Sequence, residues 1–207
     1  MNFCSLLLLV ALLLLWSSLS ADEGLMVSKM DGQPYIVRED FENSQAAAEI
    51  LASLNAMNVR MIKILMEIKD STQWRDNIEF LANNYDPDVL GEHIPTNINY
   101  TSFVRDKGKK IRMCLRTPED RDFFHHMNLL RYVSLHELTH MMIPERGHGP
   151  EFWRAFDFVL RIGVATNEVY VENYDRAPVN YCGLRVDKWW PLGNGSQSSD
   201  VLDRLRR

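Results

Sequence analysis

The chain has 207 residues, of which 46% are hydrophobic and 25% are charged, and its formal net charge is −5. This balance is typical of a folded globular protein that is long enough to bury a core, and three cysteines are too few for a disulfide scaffold. The acidic balance also argues against a dedicated nucleic-acid binder, because strong phosphate binding needs clustered Lys and Arg.

The N-terminus carries an almost unbroken apolar run, LLLLVALLLLW, at residues 6–16. A run of this length matches the hydrophobic region of a signal peptide and is short of the ~20 residues of a membrane span. The small residues that follow predict cleavage after Ser20 or Ala21. Since no Lys or Arg precedes the run, an uncleaved anchor stays an alternative. We therefore predict that residues 1–21 are a signal peptide or membrane anchor, and that the protein is secreted or membrane-anchored through the secretory pathway.

The rest of the chain divides into three predicted parts. Residues 22–43 have a mixed sequence with two glycines and a proline, which predicts a linker with a short strand at 35–37. Residues 44–192 are predicted to form one folded domain. Residues 193–207 begin with a stretch rich in Gly and Ser, which predicts a disordered tail.

Two helices are predicted at the start of the domain. Ser44 is a candidate N-cap, and apolar residues recur at helical spacing from Ala47 onwards. This pattern predicts a long amphipathic helix that ends near Asp70. A second helix is predicted over residues 73–83, because a turn sequence with a proline follows it.

A β-hairpin is predicted next. Residues 100–104 and 110–115 are short strand-like runs, and a glycine-containing loop separates them. The basic run at residues 107–112 is broken by Gly108 and Ile111, so we interpret it as a solvated hairpin rather than a nucleic-acid patch.

Two further helices complete the predicted elements. The first is predicted from about Asp122 to the residue before Pro144. The second begins at Pro150, which suits the first turn of a helix, and ends at Gly163. Residues 170–186 are predicted to be mostly irregular.

The strongest chemical signal is the pentapeptide His136-Glu137-Leu138-Thr139-His140. Two histidines four residues apart lie on the same face of a helix and can bind one metal ion. The glutamate beside the first histidine can accept a proton from an attacking water without binding the metal itself. The pentapeptide therefore predicts a zinc site with a general base.

A catalytic zinc site needs a third protein ligand, and His148 is the candidate. A proline and two glycines surround it, which lets the chain turn back towards the metal. Glu145 and Glu151 are alternative third ligands. Loop charge is the simpler role for Glu145, and charge in the first turn of a helix is the simpler role for Glu151.

The remaining histidines and cysteines receive weaker predictions. Adjacent residues face different ways, so His125 and His126 are predicted to be polar caps rather than ligands of one ion. His93 is assigned no role. Cys114 and Cys182 form a disulfide if the domain is exported, or are two separate buried thiols.

These motifs resemble those of the compact WLM and SprT-like zinc peptidases. Those families combine HExxH, a short loop, and a third His that precedes an aromatic pair at the start of the next helix. The present chain has HELTH at 136–140 and then GHGPEFW at 147–153. The strand-like run IRMCLR at 111–116 resembles the strand beside their active-site helix, and PVNYCG at 178–183 resembles a variant found in large DNA viruses and algae.

The resemblance implies a compact α+β zincin-like domain. A long N-terminal helix would pack behind the HExxH helix, and a small sheet with a β-hairpin would form the substrate-facing edge. His136, His140 and His148 would bind Zn²⁺, with Glu137 as the general base. The substrate would be a polypeptide, paired in extended form with an edge strand at 111–115.

The resemblance also implies an oxyanion helper, for which Tyr181 is a candidate, with a purely packed aromatic as the simpler interpretation. Two alternative functions stay open. One is a metal-binding or interaction module with little catalysis. The other is a DNA–protein crosslink protease. The apolar N-terminal run and the acidic balance argue against nucleic-acid binding and against a nuclear location. Association with a membrane would occur through the N-terminal segment.

Overall fold

The computed structural model describes residues 23–95, 101–117, 119–144, 147–174 and 176–187. The predicted leader and the predicted tail lie outside these ranges. Within the described ranges, none of the helices combines the length and the apolar character needed to cross a bilayer.

The centre of the molecule is a mixed sheet of five short strands with the spatial order β1-β2-β3-β5-β4. The outer pairs are antiparallel, whereas β3 runs parallel to both of its neighbours. The strands are β1 (Glu23–Val27), β2 (Pro34–Arg38), β3 (Leu90–Glu92), β4 (Phe103–Arg105) and β5 (Lys110–Met113).

The segment predicted as a linker contributes two of these strands. The short strand expected at 35–37 is present as part of β2, but β1 was missed. Along β1 the buried residue is Gly24, whereas Leu25 and Val27 are 60% and 55% exposed. A half-buried strand usually has its apolar residues on the buried face. In β1 two apolar residues lie on the exposed face instead, so the sequence does not show the usual pattern.

The predicted hairpin is confirmed, because β4 and β5 pair in antiparallel register from Phe103↔Arg112 to Arg105↔Lys110. The expectation that residues 111–115 form an edge strand is wrong. Strand β5 lies between β3 and β4, so β4 is the edge on this side of the sheet. Sequence alone does not show that β3, a strand of three residues, completes the pairing of β5.

The long first helix is confirmed as α1 (Ser44–Ile68), and one 3₁₀ turn (Lys69–Ser71) extends it. Its cap differs from the prediction. Asn43 is the N-cap, with φ 64° and no side-chain cap bond, and Ser44 is already helical. The second helix, α2, spans Arg75–Asn84.

The two later helices are α3 (Met127–Met142), which carries HELTH, and α4 (Pro150–Ala165). Helix α3 begins five residues later than predicted. The preceding residues instead form turns and extended backbone, and the amide of His125 donates to the carbonyl of Leu115 at 2.8 Å. Helix α4 begins at Pro150 as predicted.

A second small sheet was missed in the stretch predicted to be irregular. It is a hairpin of β6 (Val179–Tyr181) and β7 (Leu184–Val186). Its turn residue Cys182 has φ 52° and forms a disulfide with Cys114, just after β5. The sequence left open whether these cysteines pair or stay separate thiols, and the structure has the disulfide.

A chain of buried side-chain hydrogen bonds holds α1 against α3. Ser134 donates to Asn58 at 2.8 Å, Asn58 donates to the Tyr85 hydroxyl at 3.1 Å, and that hydroxyl donates to Asn55 at 2.8 Å. Asn55 in turn donates to the Tyr35 hydroxyl at 3.0 Å. Because buried polar groups need partners, these hydrogen bonds fix α3 against α1 at Ser134, which lies two residues before His136.

Candidate metal centre

The three predicted ligands converge on one point. His136 and His140 project from one face of α3, and their Nε2 atoms lie 3.2 Å apart. His148 comes from the loop before α4, and its Nε2 lies 2.9 Å from that of His136 and 3.1 Å from that of His140. Nitrogens bonded to one zinc at ~2.0–2.1 Å in tetrahedral geometry lie roughly 3.3 Å apart. The three imidazoles therefore form a group that could hold a metal ion.

Helix α4 supports the imidazoles with aromatic rings. The ring of Phe152 stacks on His140 at 4.3 Å and contacts the edges of His136 and His148 at 4.8 Å each. Trp153 stacks on His148 at 5.4 Å. The Phe-Trp pair that follows the third histidine in sequence thus restricts the ring orientations of all three candidate ligands.

The three imidazoles are in the form that a metal requires. Burial, together with the neighbouring imidazoles, holds the pKa of His136 well below its usual range. Burial and the nearby His148 lower the pKa of His140 to about 4, and burial lowers the pKa of His148. All three rings are therefore neutral near pH 7, with lone pairs available for a cation.

Glu137 is the unusual group of this site. Its side chain is 5% exposed, and its Oε2 is buried without a hydrogen-bond partner. Burial raises the pKa of its carboxyl to about 8. An unpaired buried carboxylate is costly, and a cation beside it removes that cost by favouring the charged form. The three neutral imidazoles and this orphaned oxygen together fit a bound divalent metal.

The end of α3 is held by a lysine that sequence reasoning had placed in a solvated hairpin. The Nζ of Lys107 donates to the carbonyl of His140 at 3.0 Å and also to the carbonyl of Ile143. These are the free carbonyls of a helix C-terminus, where a cation is favourable. The turn approaches α3 closely, since a Cβ on Gly108, at φ +113°, would lie 2.5 Å from Met141 Cε. A basic run in a loop gives no sequence signal for this contact.

Tyr181, in β6, is 3% exposed. Its hydroxyl donates to the carbonyl of Cys114 at 2.9 Å and shares a hydrogen bond with the Ser102 hydroxyl at 2.5 Å. Burial raises its pKa, and the charge of Glu137 contributes in the same direction. Tyr181 is thus a packed aromatic whose hydroxyl interacts electrostatically with the candidate base.

The other predicted site residues lie elsewhere. Glu151 is in the first turn of α4, as expected, and is not part of the histidine cluster. Glu145 lies outside the described residues. The predicted capping roles of His125 and His126 are wrong. His126 occupies the N-cap position of α3 but makes no side-chain cap bond, and His125 is buried with its Nε2 3.2 Å from Cys182 Sγ.

Comparison with known proteins assigns the family. Residues 37–169 match the WLM domain, so the chain belongs to the WLM family. A relative in Acanthamoeba polyphaga mimivirus, described as Uncharacterized protein R325, is 33% identical over 189 residues, which cover 90% of this chain and 94% of that protein. No solved structure matches the chain. The family match and the histidine cluster indicate a metallopeptidase-like protein with a candidate metal centre.

Proposed function

We propose that this protein is a zinc-dependent metallopeptidase in which His136, His140 and His148 hold the metal and Glu137 is the general base. The observation that carries the proposal is the convergence of three neutral imidazole nitrogens, 2.9–3.2 Å apart, beside a buried carboxylate oxygen without a partner. A purely structural metal site does not need such a carboxylate.

Zinc suits this ligand set. Three histidines with an open fourth position are a known set for catalytic zinc, whereas structural zinc sites are usually closed by four protein ligands. When bound, zinc lowers the pKa of a coordinated water towards ~7 and polarises a carbonyl group.

Glu137 performs the proton transfers in this proposal. Its carboxylate accepts a proton from the water that attacks the scissile carbonyl, and it then donates that proton to the departing amine. Burial favours the protonated form of this carboxyl, which makes the carboxylate a stronger base, whereas a bound metal would favour the charged form that accepts the proton. Removing its negative charge should therefore stop hydrolysis while leaving the imidazoles in place.

The proposed substrate is an extended polypeptide that pairs with β4. This strand ends the sheet on the side where the turn after β4 reaches the end of α3 through Lys107. An edge strand offers main-chain donors and acceptors to an extended chain, independently of its sequence. The proposed substrate-binding strand is therefore Phe103–Arg105 rather than residues 111–115.

The proposed location is the secretory pathway, with the mature protein secreted or attached to a membrane by its N-terminal segment. The apolar run at 6–16 supports this, and so does the Cys114–Cys182 disulfide, since disulfides persist in oxidising compartments. Mass spectrometry of the N-terminus of the expressed protein tests it. A mature chain that begins near residue 21 indicates a cleaved signal peptide, an intact N-terminus in a membrane fraction indicates an anchor, and an intact N-terminus in the soluble fraction contradicts both.

The decisive experiment compares Glu137→Gln with the wild type and with Glu151→Gln as a matched control. Gln is nearly isosteric and cannot accept the proton, so we expect peptide hydrolysis to fall by at least ~10²–10⁴-fold. Zinc content, measured by elemental analysis, should stay at the wild-type level because the histidines are intact. Glu151→Gln should keep both activity and zinc.

Two outcomes would contradict the proposal. Turnover by Glu137→Gln at the wild-type rate would remove Glu137 from the mechanism. Zinc binding by a wild type that cleaves none of a broad peptide library would favour a binding module over a peptidase.

A further inference from the structure

A second cluster of metal-ligand side chains lies around the disulfide. The sulfurs of Cys114 and Cys182 and one ring nitrogen of His125 all lie within 4.8 Å of one another. All three residues are buried, with 1%, 6% and 8% of their surfaces exposed. The histidine cluster described above does not use any of them.

The orientation of His125 is not explained by the disulfide. Its Nε2 lies 3.2 Å from Cys182 Sγ, and sulfur is only a weak hydrogen-bond acceptor. The ring also interacts with the main chain of Arg116, which fixes its orientation as second-shell carbonyls do for histidines that bind metals. A buried imidazole aimed at a pair of sulfurs gains far more from a shared cation than from a weak hydrogen bond.

We infer that Cys114, His125 and Cys182 form a second metal site, which takes Zn²⁺ when the disulfide is reduced. The site and the disulfide are alternative forms of the same cross-link, and the inference does not depend on the proposed peptidase activity.

The geometry and the charge of the cluster fit zinc. Two thiolates bonded to one zinc at ~2.3 Å lie roughly 3.8 Å apart in tetrahedral geometry. The Cα atoms of the cysteines are 6.5 Å apart, so rotation of the side chains alone can separate the sulfurs. Two thiolates neutralise the two charges of the ion, so the buried complex carries no net charge and avoids the cost of burying an unpaired ion. The fourth position is left for a water, which keeps the complex neutral.

The exchange between the two forms balances as a dithiol reaction. A dithiol reductant donates two electrons and two protons to the disulfide, which gives two thiols and the oxidised, cyclic disulfide form of the reductant. Binding of Zn²⁺ to the two thiols then releases two protons to solvent. An oxidant that re-forms the disulfide releases the metal.

Both forms keep the β6–β7 hairpin attached to the end of β5. Cys182 follows Tyr181 in the hairpin, and the Tyr181 hydroxyl donates to the carbonyl of Cys114. The hairpin is therefore cross-linked to the end of β5 by a disulfide under oxidising conditions and by a metal under reducing conditions. The attachment of the hairpin thus does not depend on the redox state of the compartment.

The test loads the full chain with Co²⁺ in oxidised and in reduced form. Cobalt bound by thiolate sulfur gives an intense near-ultraviolet charge-transfer band, which the histidine site, having no sulfur ligands, does not give. We expect the band, and about one additional equivalent of Zn²⁺ or Co²⁺ per chain, in the reduced wild type only. Re-oxidation should abolish the band and release the additional metal. Because both forms are the wild-type chain, no substitution can confuse a lost site with a misfolded protein.

Variants then identify the ligands. Cys182→Ser should lose the band, and His125→Ala should weaken Co²⁺ binding at this site by at least ~10-fold, since loss of even a second-shell partner has an effect of that size. His126→Ala is the matched control and should bind as the wild type does. His136→Ala/His140→Ala should keep the band, which separates this site from the first. A reduced wild type without the band, or a His125→Ala variant with wild-type affinity, overturns the inference.

Discussion

Glu92 and Glu137 are both buried carboxylates, with 0% and 5% of their surfaces exposed, but their surroundings differ completely. Glu92, at the end of β3, accepts from Arg116 Nε at 2.6 Å and from the amide of Arg38 at 2.8 Å. Glu137, on α3, has a buried oxygen with no partner and a pKa raised to about 8. One carboxylate is fully paired by the fold, and the other is not.

The paired group joins separate parts of the structure. The Arg116 guanidinium also donates to the carbonyls of Glu42 and Arg121. Its Cζ lies 5.3 Å from the ring centroid of Phe41 and 4.7 Å from that of Phe124. It therefore connects β3 to the segment before α1 and to the turns before α3.

The difference between the two carboxylates separates a structural charge from a candidate functional one. A buried carboxylate without a partner lowers the stability of the fold. Ionisable groups with strongly shifted pKa values cluster at functional sites.

The largest expected effect follows from breaking the paired charge. Arg116→Met should lower the free energy of unfolding by about 3–5 kcal/mol, because Glu92 is left buried and uncompensated. Urea denaturation followed by circular dichroism measures this loss. The double variant Arg116→Met/Glu92→Met should be less destabilised than Arg116→Met alone, since it removes the stranded charge.

A surface ion pair provides the control for this prediction. Arg75 lies near Asp70 and Glu79, and its side chain is 58% exposed. Arg75→Met should change stability by no more than about 1 kcal/mol, because exposed pairs contribute little. A loss of similar size in Arg75→Met and Arg116→Met would show that burial of the Glu92 pair is not what matters.

The next largest effect is expected from metal binding beside the unpaired carboxylate of Glu137. Zinc at a free concentration ~1,000 times its dissociation constant should stabilise the oxidised protein by about 4 kcal/mol, since it binds only the folded state. Thermal unfolding with and without a chelator measures the gain. His140→Ala should lose it, whereas His126→Ala should keep it. The use of oxidised protein keeps the cysteines out of the measurement.

An intermediate effect is expected at Tyr181, whose hydroxyl is paired but interacts electrostatically with Glu137. Tyr181→Phe should cost about 1–3 kcal/mol of stability, because the buried carbonyl of Cys114 loses its donor. Activity per folded molecule should change by less than ~10-fold. A fall of ~10² or more in kcat would instead place the hydroxyl in transition-state stabilisation. Tyr170→Phe, at a residue that is 55% exposed, is the control.

The comparison also shows what the sequence can predict. The candidate ligands His136, His140 and His148 could be found because their spacing on a helix and in the following loop is local. The long helix α1 could be found for the same reason, since its apolar residues recur at helical spacing over about seven turns.

The features that were missed depend on contacts distant in sequence. Strand β1 buries a glycine, and its neighbours in the sheet determine its conformation. The partner of Arg116 is Glu92, 24 residues away, and composition does not favour one acidic residue over another. The disulfide could only be left open, because 68 residues separate its cysteines.

The smallest expected effect is at Lys107, a half-buried charge that donates to main-chain carbonyls at the end of α3. Lys107→Met should lower the free energy of unfolding by about 1 kcal/mol, since a cation at a helix C-terminus typically contributes 0.3–1 kcal/mol and up to ~2 kcal/mol when partly buried. Lys109→Met is the matched control, because Lys109 is exposed in the same loop, and it should have no measurable effect. Salt should reduce the Lys107 contribution by less than it reduces that of an exposed pair, because partial burial limits screening. Equal losses in the two lysine variants would mean that the loop is merely solvated. A loss confined to Lys107→Met would show that a charge paired with carbonyls at one end of α3 stabilises the fold, whereas Glu137, on the same helix, is left unpaired for its proposed chemistry.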